Sequence, residues 1–236
     1  FVSLLAIWYL VALWVDSRIF PPPLSVLKVL LESIAQGVLQ FHIGRTLMRV
    51  VTSFVLAMTV GIGIGIVLGI SKSLDRFFDS WLTLFLNIPA LVTIILCYVW
   101  LGLFETAAIL AVAINKIPNV IITIREGARA LERDYFEMAH SFRLSRTVVL
   151  RQIILPQLSP YLMATTRSGL ALIWKIVLVV ELLGRSNGVG FQLHLFFQLF
   201  DIASIFAYTL AFVLVIQVLA YGLLQPLERR ISRWRR

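Results

Sequence analysis

Two short patterns in this chain match catalytic motifs in part, and each lacks the context that its chemistry needs. The segment GRSNG at 184–188 fits the G-x-S-x-G pattern of a nucleophile elbow. Such an elbow needs an acidic residue and then a histidine later in the chain, and no histidine follows Asp201, the first acidic residue after the serine. The segment GISKS at 69–73 lacks the lysine beside the second glycine that a phosphate-binding loop requires. We therefore predict no catalytic residue and no nucleotide hydrolysis by this chain.

The residues that could bind a metal ion are too widely spaced to do so. His42, His140 and His194 are far apart in the sequence, and the single cysteine, Cys97, is close to none of them. Zinc ligands typically occur as closely spaced pairs of cysteine or histidine. One cysteine also excludes a disulfide within the chain. We predict no metal site and no cofactor held by this chain.

Three charged residues lie where the sequence is otherwise strongly apolar. Lys116 and Lys175 fall well inside long apolar runs, and Glu181 lies nearer the end of the second run. A lysine at the centre of a bilayer costs on the order of 2.5–3.5 kcal/mol, so such residues usually face a cavity or a partner. Two interpretations stay open. One or both lysines pair with Glu181 or Glu105, or they line a pathway that favours an anion.

The apolar runs that surround these charges define the class of protein. Apolar residues make up 60% of the chain and charged residues 14%, with a mean hydropathy of +0.93. In a soluble domain, apolar residues average about 45–50% and charged residues about 25%. Five runs approach or exceed the roughly 20 residues that cross a bilayer, at 50–70, 80–103, 107–124, 161–183 and 203–224, and 1–15 indicates part of a sixth. We predict an all-α, polytopic helical membrane protein with about six transmembrane helices, forming one domain over 1–236.

Basic residues set the orientation of these spans. They follow the second, fourth and sixth runs, at Lys72 and Arg76, then Arg125, Arg129, Arg133, Arg143, Arg146 and Arg151, then Arg229, Arg230, Arg233, Arg235 and Arg236. Short loops rich in lysine and arginine stay in the cytoplasm. The loops near 21–23, Glu105 and 184–201 then lie outside. The net charge of +9 therefore reflects topology and attraction to anionic membrane lipid, and we predict no nucleic-acid partner.

Small residues and prolines inside the spans predict how the helices pack. Ala57, Gly61, Gly65 and Gly69 recur every fourth residue and so share one helix face. Small residues let helix backbones approach closely in lipid, either within one subunit, which we favour, or at a dimer seam.

Pro89 and Pro118 lie inside spans and should kink them or mark broken helices. Irregular backbone inside a membrane is tolerated where it is buried in protein or lines a cavity. The candidate translocation pathway therefore comprises Asn87, Pro89, Lys116, Lys175 and Glu181.

One polar and basic stretch, residues 134–158, interrupts the apolar chain. Its apolar members are spaced i, i+3, i+4 and i+7 and so form one face of a short helix: Tyr135, Met138, Ala139 and Phe142. Glu137, His140 and Arg143 lie away from this face. A lipid surface or a cytoplasmic protein could cover it, and nearby acidic residues favour the protein because anionic headgroups repel them. Ser145 is placed to cap a second helix that runs to Ile154.

This stretch resembles the cytoplasmic coupling motif of importer-type ABC transporter permeases, E-A-A-x3-G-x9-I-x-L-P. The chain has EMA at 137–139 and I-x-L-P at 153–156, while the motif glycine falls on Arg143. Further matches resemble the nitrate, sulfonate and taurine branch of that family and run along nearly the whole chain: FPPP at 20–23 followed by SVL at 25–27, the glycine run at 61–69, SKSLD at 71–75, IPA at 88–90, WLGLFE at 100–105, Glu181 and GVGF at 188–191.

The resemblance implies a type I ABC importer permease fold in a bacterial cytoplasmic (inner) membrane. It implies a second permease subunit, as a homodimer, and cytoplasmic ATPase subunits that bind ATP and Mg. It also implies a periplasmic or lipid-anchored solute-binding protein that delivers a small anion such as nitrate, bicarbonate, a sulfonate or taurine. The alternative is a secondary transporter or channel that works without an ATPase.

Within that family the segment 125–155 would couple the permease to its ATPase. The residues implied in this contact are Tyr135, Glu137, Met138, Ala139, His140, Ser141, Phe142 and Arg143. A glycine adopts positive φ easily and an arginine does not, so Arg143 is where this chain departs from the motif.

Overall fold

The computed structural model describes residues 2–15, 20–224 and Pro226, and within these ranges the secondary structure is helical, without strands. The helices are α1 (Val2–Trp14), α2 (Pro23–Ala35), α3 (Val38–Ile70), α4 (Lys72–Asn87), α5 (Ala90–Leu101), α6 (Glu105–Arg129), α7 (Arg133–Ser141), α8 (Arg146–Val149), α9 (Leu155–Gly184), α10 (Val189–Gln198) and α11 (Ile202–Leu219), with π-helical turns at Leu150–Ile154 and Ala220–Leu224. The all-α prediction is confirmed.

The long helices coincide with the apolar runs of the sequence. Among the described residues, three helices are long and apolar enough to cross a membrane: Val38–Ile70, Glu105–Arg129 and Ile202–Gly222. The bent pair α4 and α5 makes a fourth if it is one span. The expected count of about six also included α1, which has 13 residues, and α9, which has 30 residues and carries charged side chains.

The run 80–103 is divided into two helices at Pro89. The axes of α4 and α5 meet at 94° across residues 88 and 89. The residue before a proline is disfavoured in the α conformation, and Ile88 is accordingly extended, with φ −70° and ψ 122°. Pro89 therefore breaks its span as predicted, whereas α6 continues through Pro118. Beside the break, α3, α4 and α6 enclose an apolar cavity of about 670 Å³ that contacts Trp81 and Phe85.

The core lies where α3, α5, α6 and α9 meet. Its buried side chains include Val50, Ile94, Ala107, Ala111, Val112, Ile173, Val177 and Val180. The hydroxyl of Tyr98 donates to the carbonyl of Val180 at 2.8 Å and so joins α5 to α9. This core holds the spans in one bundle around the charged residues described below.

The small residues of α3 pack against α6 of the same chain. A Cβ added at Gly61 would lie 2.6 Å from the Cβ of Val120. A Cβ at Gly65 would lie 2.8 Å from the Cβ of Ile124 and 2.9 Å from a backbone carbonyl. Real Cβ atoms do not approach this closely, so only glycine permits the contact. The interpretation that this face packs within one subunit is confirmed.

The glycine face predicts a pair of substitutions with opposite outcomes. Gly65→Ala should destabilise the bundle by about 1–3 kcal/mol, because the added methyl group overpacks the α3–α6 contact. Gly63→Ala should be neutral or slightly stabilising, because nothing lies within 4 Å of a Cβ there and alanine favours helix. Thermal unfolding of both variants in one detergent checks this. Equal melting temperatures would show that the contact does not depend on glycine.

Candidate functional site

The predicted coupling face lies on α7, and the structure divides it into two parts. The side chains of Tyr135 and Met138 are exposed, and Phe142 is 74% exposed. Ala139 is only 5% exposed and packs against its own chain. Three of the four apolar residues are therefore uncovered in the single chain and free to contact a partner.

The polar residues of the predicted contact lie around this exposed face. Glu137, Ser141 and Arg143 are exposed, and the Ser141 hydroxyl donates to the Glu137 carbonyl at 3.0 Å. His140 lies in α7, but its side chain is outside the described part of the structure. The charged Glu137 carboxylate can therefore meet a partner directly.

Arg143, two residues after the end of α7, has a backbone conformation that favours glycine. Its φ is +49°, in the left-handed region. The Leu144 amide donates to the Ala139 carbonyl at 2.9 Å, which is the long bond of a Schellman motif with Arg143 at the left-handed position. The chain thus departs from the motif in residue type at a position whose backbone conformation glycine adopts without strain. A side chain in this conformation costs roughly 1–2 kcal/mol.

The sequence predicted that the second helix of this segment ends at Ile154. In the structure the helix continues beyond that residue. It runs from α8 through the π-helical turn into α9, where the Leu155 amide donates to the Leu150 carbonyl. Pro156 has no amide hydrogen to donate, and a wider turn just before it accommodates that loss. The Glu132 amide donates to Gln157 Oε1 at 3.0 Å and closes the loop around α7. α7 is therefore fastened to the start of a long span.

A charged cluster joins the cytoplasmic ends of α4 and α6 next to α7. Arg125 contacts Asp75 at 3.0 Å and Asp79 at 2.7 Å. Arg129 pairs with Asp75 and, at 2.9 Å, with Glu126. Two of the three basic connections assigned to the cytoplasm thus meet at one end of the bundle. The third, at 229–236, lies outside the described residues.

At the opposite end, a buried arginine joins three helices. Arg49 on α3 is 1% exposed. Its Nε and Nη2 donate to the Glu105 carboxylate at 2.6 and 3.0 Å, and its Nη1 donates to Glu181 at 2.6 Å. Arg185 adds a further bond to Glu105 at 2.8 Å. Carboxylates from α6 and α9 therefore share one cation from α3.

Glu181 is completely buried, at 0% exposed, and its second oxygen is also bonded. It accepts from the Thr46 hydroxyl at 2.9 Å and from the Gly190 amide at 2.8 Å. Arg49 also donates to the Asn187 carbonyl at 2.8 Å and to its side-chain oxygen. The loop before α10 is thereby fixed to the bundle. We call Thr46, Arg49, Glu105, Glu181 and Asn187 the outer hub.

This arrangement corrects one interpretation of the two lysines. The carboxylates of Glu105 and Glu181 pair with arginines, so the proposed ion pairs with Lys116 or Lys175 are wrong. Arg49 was missed because it directly precedes the apolar run at 50–70, whereas α3 begins at Val38. A polar series spaced i, i+4, i+7 and i+11 could have located it: His42, Thr46, Arg49 and Ser53.

The remaining pathway candidates are not brought together in one place. Lys116 is 2% exposed, and its Cε lies 3.0 Å from the position of a Cβ on Gly169. Within the described ranges, no carboxylate pairs with it. Lys175 is exposed on α9. Asn87 donates to the Thr83 carbonyl at 2.7 Å beside the break at Pro89.

Long helices, a broken span and a helix presented between two spans define a helical membrane transport protein. The chain belongs to the family of binding-protein-dependent transport system inner membrane components, whose model matches residues 61–233. It is 32% identical over 192 residues to SsuC of Escherichia coli strain K12, whose name assigns it to aliphatic sulfonate transport; the match covers 80% of this chain and 73% of SsuC.

Two further comparisons agree with this family. The taurine transport system permease protein TauC of Escherichia coli strain K12 is 28% identical over 241 residues, covering 98% of this chain and 86% of TauC. A chain of the inward-facing MetNI methionine ABC transporter has the same fold, with a TM-score of 0.71 at 14% identity over 85% of this chain and 98% of that chain. The protein is thus the permease component of an inner-membrane ABC importer, and the family implies an ATPase and a solute-binding protein as partners.

The outer hub predicts a strong stability effect at Arg49. Arg49→Met should destabilise the bundle by about 3–5 kcal/mol, because it leaves the buried Glu181 carboxylate without its cation. The double variant Arg49→Met with Glu181→Gln should recover part of that loss. Arg76→Met, the same change at an exposed site, should have little effect. Thermal unfolding in detergent measures all three, and strictly additive losses in the double variant would contradict the coupling.

The turn after α7 predicts a stabilising substitution. Arg143→Gly should stabilise the permease by roughly 1 kcal/mol, because glycine adopts the left-handed conformation without a Cβ clash. Arg143→Ala removes the same charge but keeps the Cβ, so it should give no such gain. The melting temperatures of the two variants separate backbone from side-chain effects. An equal rise in melting temperature in both variants would show that the arginine side chain, and not the backbone conformation, is destabilising.

Proposed function

We propose that this permease imports a small anion of the sulfonate class and is driven by an ATPase chain that docks on α7. One observation carries the coupling part of this proposal, namely the uncovered face of Tyr135, Met138 and Phe142. Large apolar side chains exposed in water on a nine-residue helix are stabilised when a partner covers them. Because α7 is fastened to α9, closure of that partner would move a membrane span.

The assembly that we propose contains two copies of this chain, two ATPase chains and one external solute-binding protein. ATP and Mg would be held by the ATPase chains, consistent with the lack of a phosphate-binding loop in this sequence. The binding protein, periplasmic or lipid-anchored, would meet the end that carries the outer hub. Membrane lipid would surround the large apolar side chains exposed on α5 and α11.

The class of solute rests on chemistry and on relatives. The relatives reported above carry names that refer to aliphatic sulfonates and taurine. Within the described residues, no carboxylate pairs with the exposed Lys175 of α9, which leaves positive charge to attract an anion. A secondary transporter or channel is not favoured, because such proteins require no docking helix of this kind.

The coupling proposal predicts which substitutions at α7 and the residue after it prevent the ATPase from binding. Phe142→Asp should abolish ATPase binding in a pull-down and solute-stimulated ATP hydrolysis, because it puts an unpaired charge in a desolvated contact. The loss of affinity should be a hundredfold or more, the equivalent of about 3 kcal/mol. Ala139→Asp is a poor probe because Ala139 is buried in its own chain.

The matched control is Phe197→Asp, the same change at a residue that is also exposed but lies on α10. It should leave ATPase binding unchanged. Thermal unfolding of both variants verifies that the spans stay folded. Full ATPase binding and full stimulated hydrolysis by Phe142→Asp would reject α7 as the coupling element.

A further inference from the structure

The exposed face of α9 differs from the other exposed faces of the bundle. The exposed side chains of α5 and α11 are large and apolar, among them Leu91, Ile95, Val99, Leu210, Leu214 and Val218. Those of α9 from 164 to 175 are mostly small or charged and share one side of the helix: Ala164, Arg167, Ser168, Ala171, Leu172 and Lys175. Lipid favours the large apolar surfaces of α5 and α11, whereas a lysine exposed to lipid is energetically costly.

With α9 as one of the spans that the sequence predicted, Lys175 lies within the membrane, away from both ends of the helix. It lies nine residues before the end of the helix at Gly184, or roughly 13 Å at 1.5 Å per residue. The opposite face of α9 packs into the bundle through Gly169, Ile173 and Val177. The lysine therefore points away from its own subunit at a depth where the bilayer is apolar.

We infer that Lys175 lines the aqueous translocation pathway and supplies the positive charge that selects an anion there, one lysine from each of two permease copies. This inference rests on the proposed function. Two ammonium groups facing each other across a pathway repel unless an anion lies between them, so the site is complete only when both copies and the solute are present. A singly charged sulfonate or an anion of similar size fits this chemistry.

Lys116 has a different place in the structure. Its side chain is covered by α3 and α9, with the ring of Phe54 and the ammonium group of Lys116 both near Gly169. It does not reach the exposed face of α9. Lys116→Met is therefore the matched control for Lys175→Met, since both remove one membrane lysine.

Reaction of introduced cysteines with charged thiol reagents tests the pathway without knowledge of the solute. In a Cys97→Ala background, Ala171→Cys lies one helical turn from Lys175 and should react with water-soluble methanethiosulfonates, whereas Leu214→Cys on α11 should not. The anionic reagent should react faster than the cationic one. Adding Lys175→Met should lower that ratio roughly tenfold, as expected for the loss of one charge a turn away.

Uptake of ethanesulfonate, a singly charged sulfonate, into proteoliposomes holding the full complex gives the second readout. Lys175→Met should lower uptake at least tenfold, Lys175→Arg should restore most of it, and Lys116→Met should retain it. The inference is overturned if Ala171→Cys is as unreactive as Leu214→Cys. It is also overturned if Lys175→Met leaves the ratio of the two reagent rates unchanged, or if Lys175→Met transports at the unmodified rate. Failure of the unmodified complex to take up any anion would instead reject the proposed solute class.

Discussion

Arg49 is buried and pairs with two carboxylates from two other helices, of which Glu181 is completely buried. A buried charge is tolerated only when it is paired and hydrogen-bonded, and here every partner comes from a different part of the chain. The position of α9 relative to α3, the start of α6 and the loop before α10 all depend on this arginine. The apolar contacts of the core are non-directional, whereas the outer hub requires each donor to meet its own acceptor.

The cytoplasmic end of the bundle is built on the opposite principle. Its ion pairs, such as Arg129 with Asp75, are partly exposed, and salt screens exposed pairs readily. The largest apolar side chains of α7 are uncovered. An ATPase that docks on α7, as proposed, would cover these side chains and stabilise this end. A fixed outer end and an adaptable inner end suit a permease whose energy is supplied from the cytoplasm.

The sequence predicted the features that depend on local chemistry. Helical runs, the break at Pro89, the glycine face of α3 and the exposed α7 follow from hydropathy, proline geometry and residue size. Sequence could not predict the partner of Glu181, because Arg49 lies 132 positions away and the pairing depends on tertiary packing. For the same reason it could not separate Lys116 from Lys175. Both lie in apolar runs, and only the packing of α9 shows which one is covered.

The uninterrupted helix from α8 to the end of α9 has a mechanical consequence. Residues 146–184 form one continuous helical stretch, roughly 58 Å along its axis at 1.5 Å per residue. Its inner end carries the loop that holds α7, and its outer end carries Glu181. A continuous helix of this length can couple a movement at one end to a movement at the other. Coupling of binding free energies between two sites is reciprocal. Binding of a solute-loaded binding protein outside and closure of an ATPase inside would thus act on the two ends of the same helix.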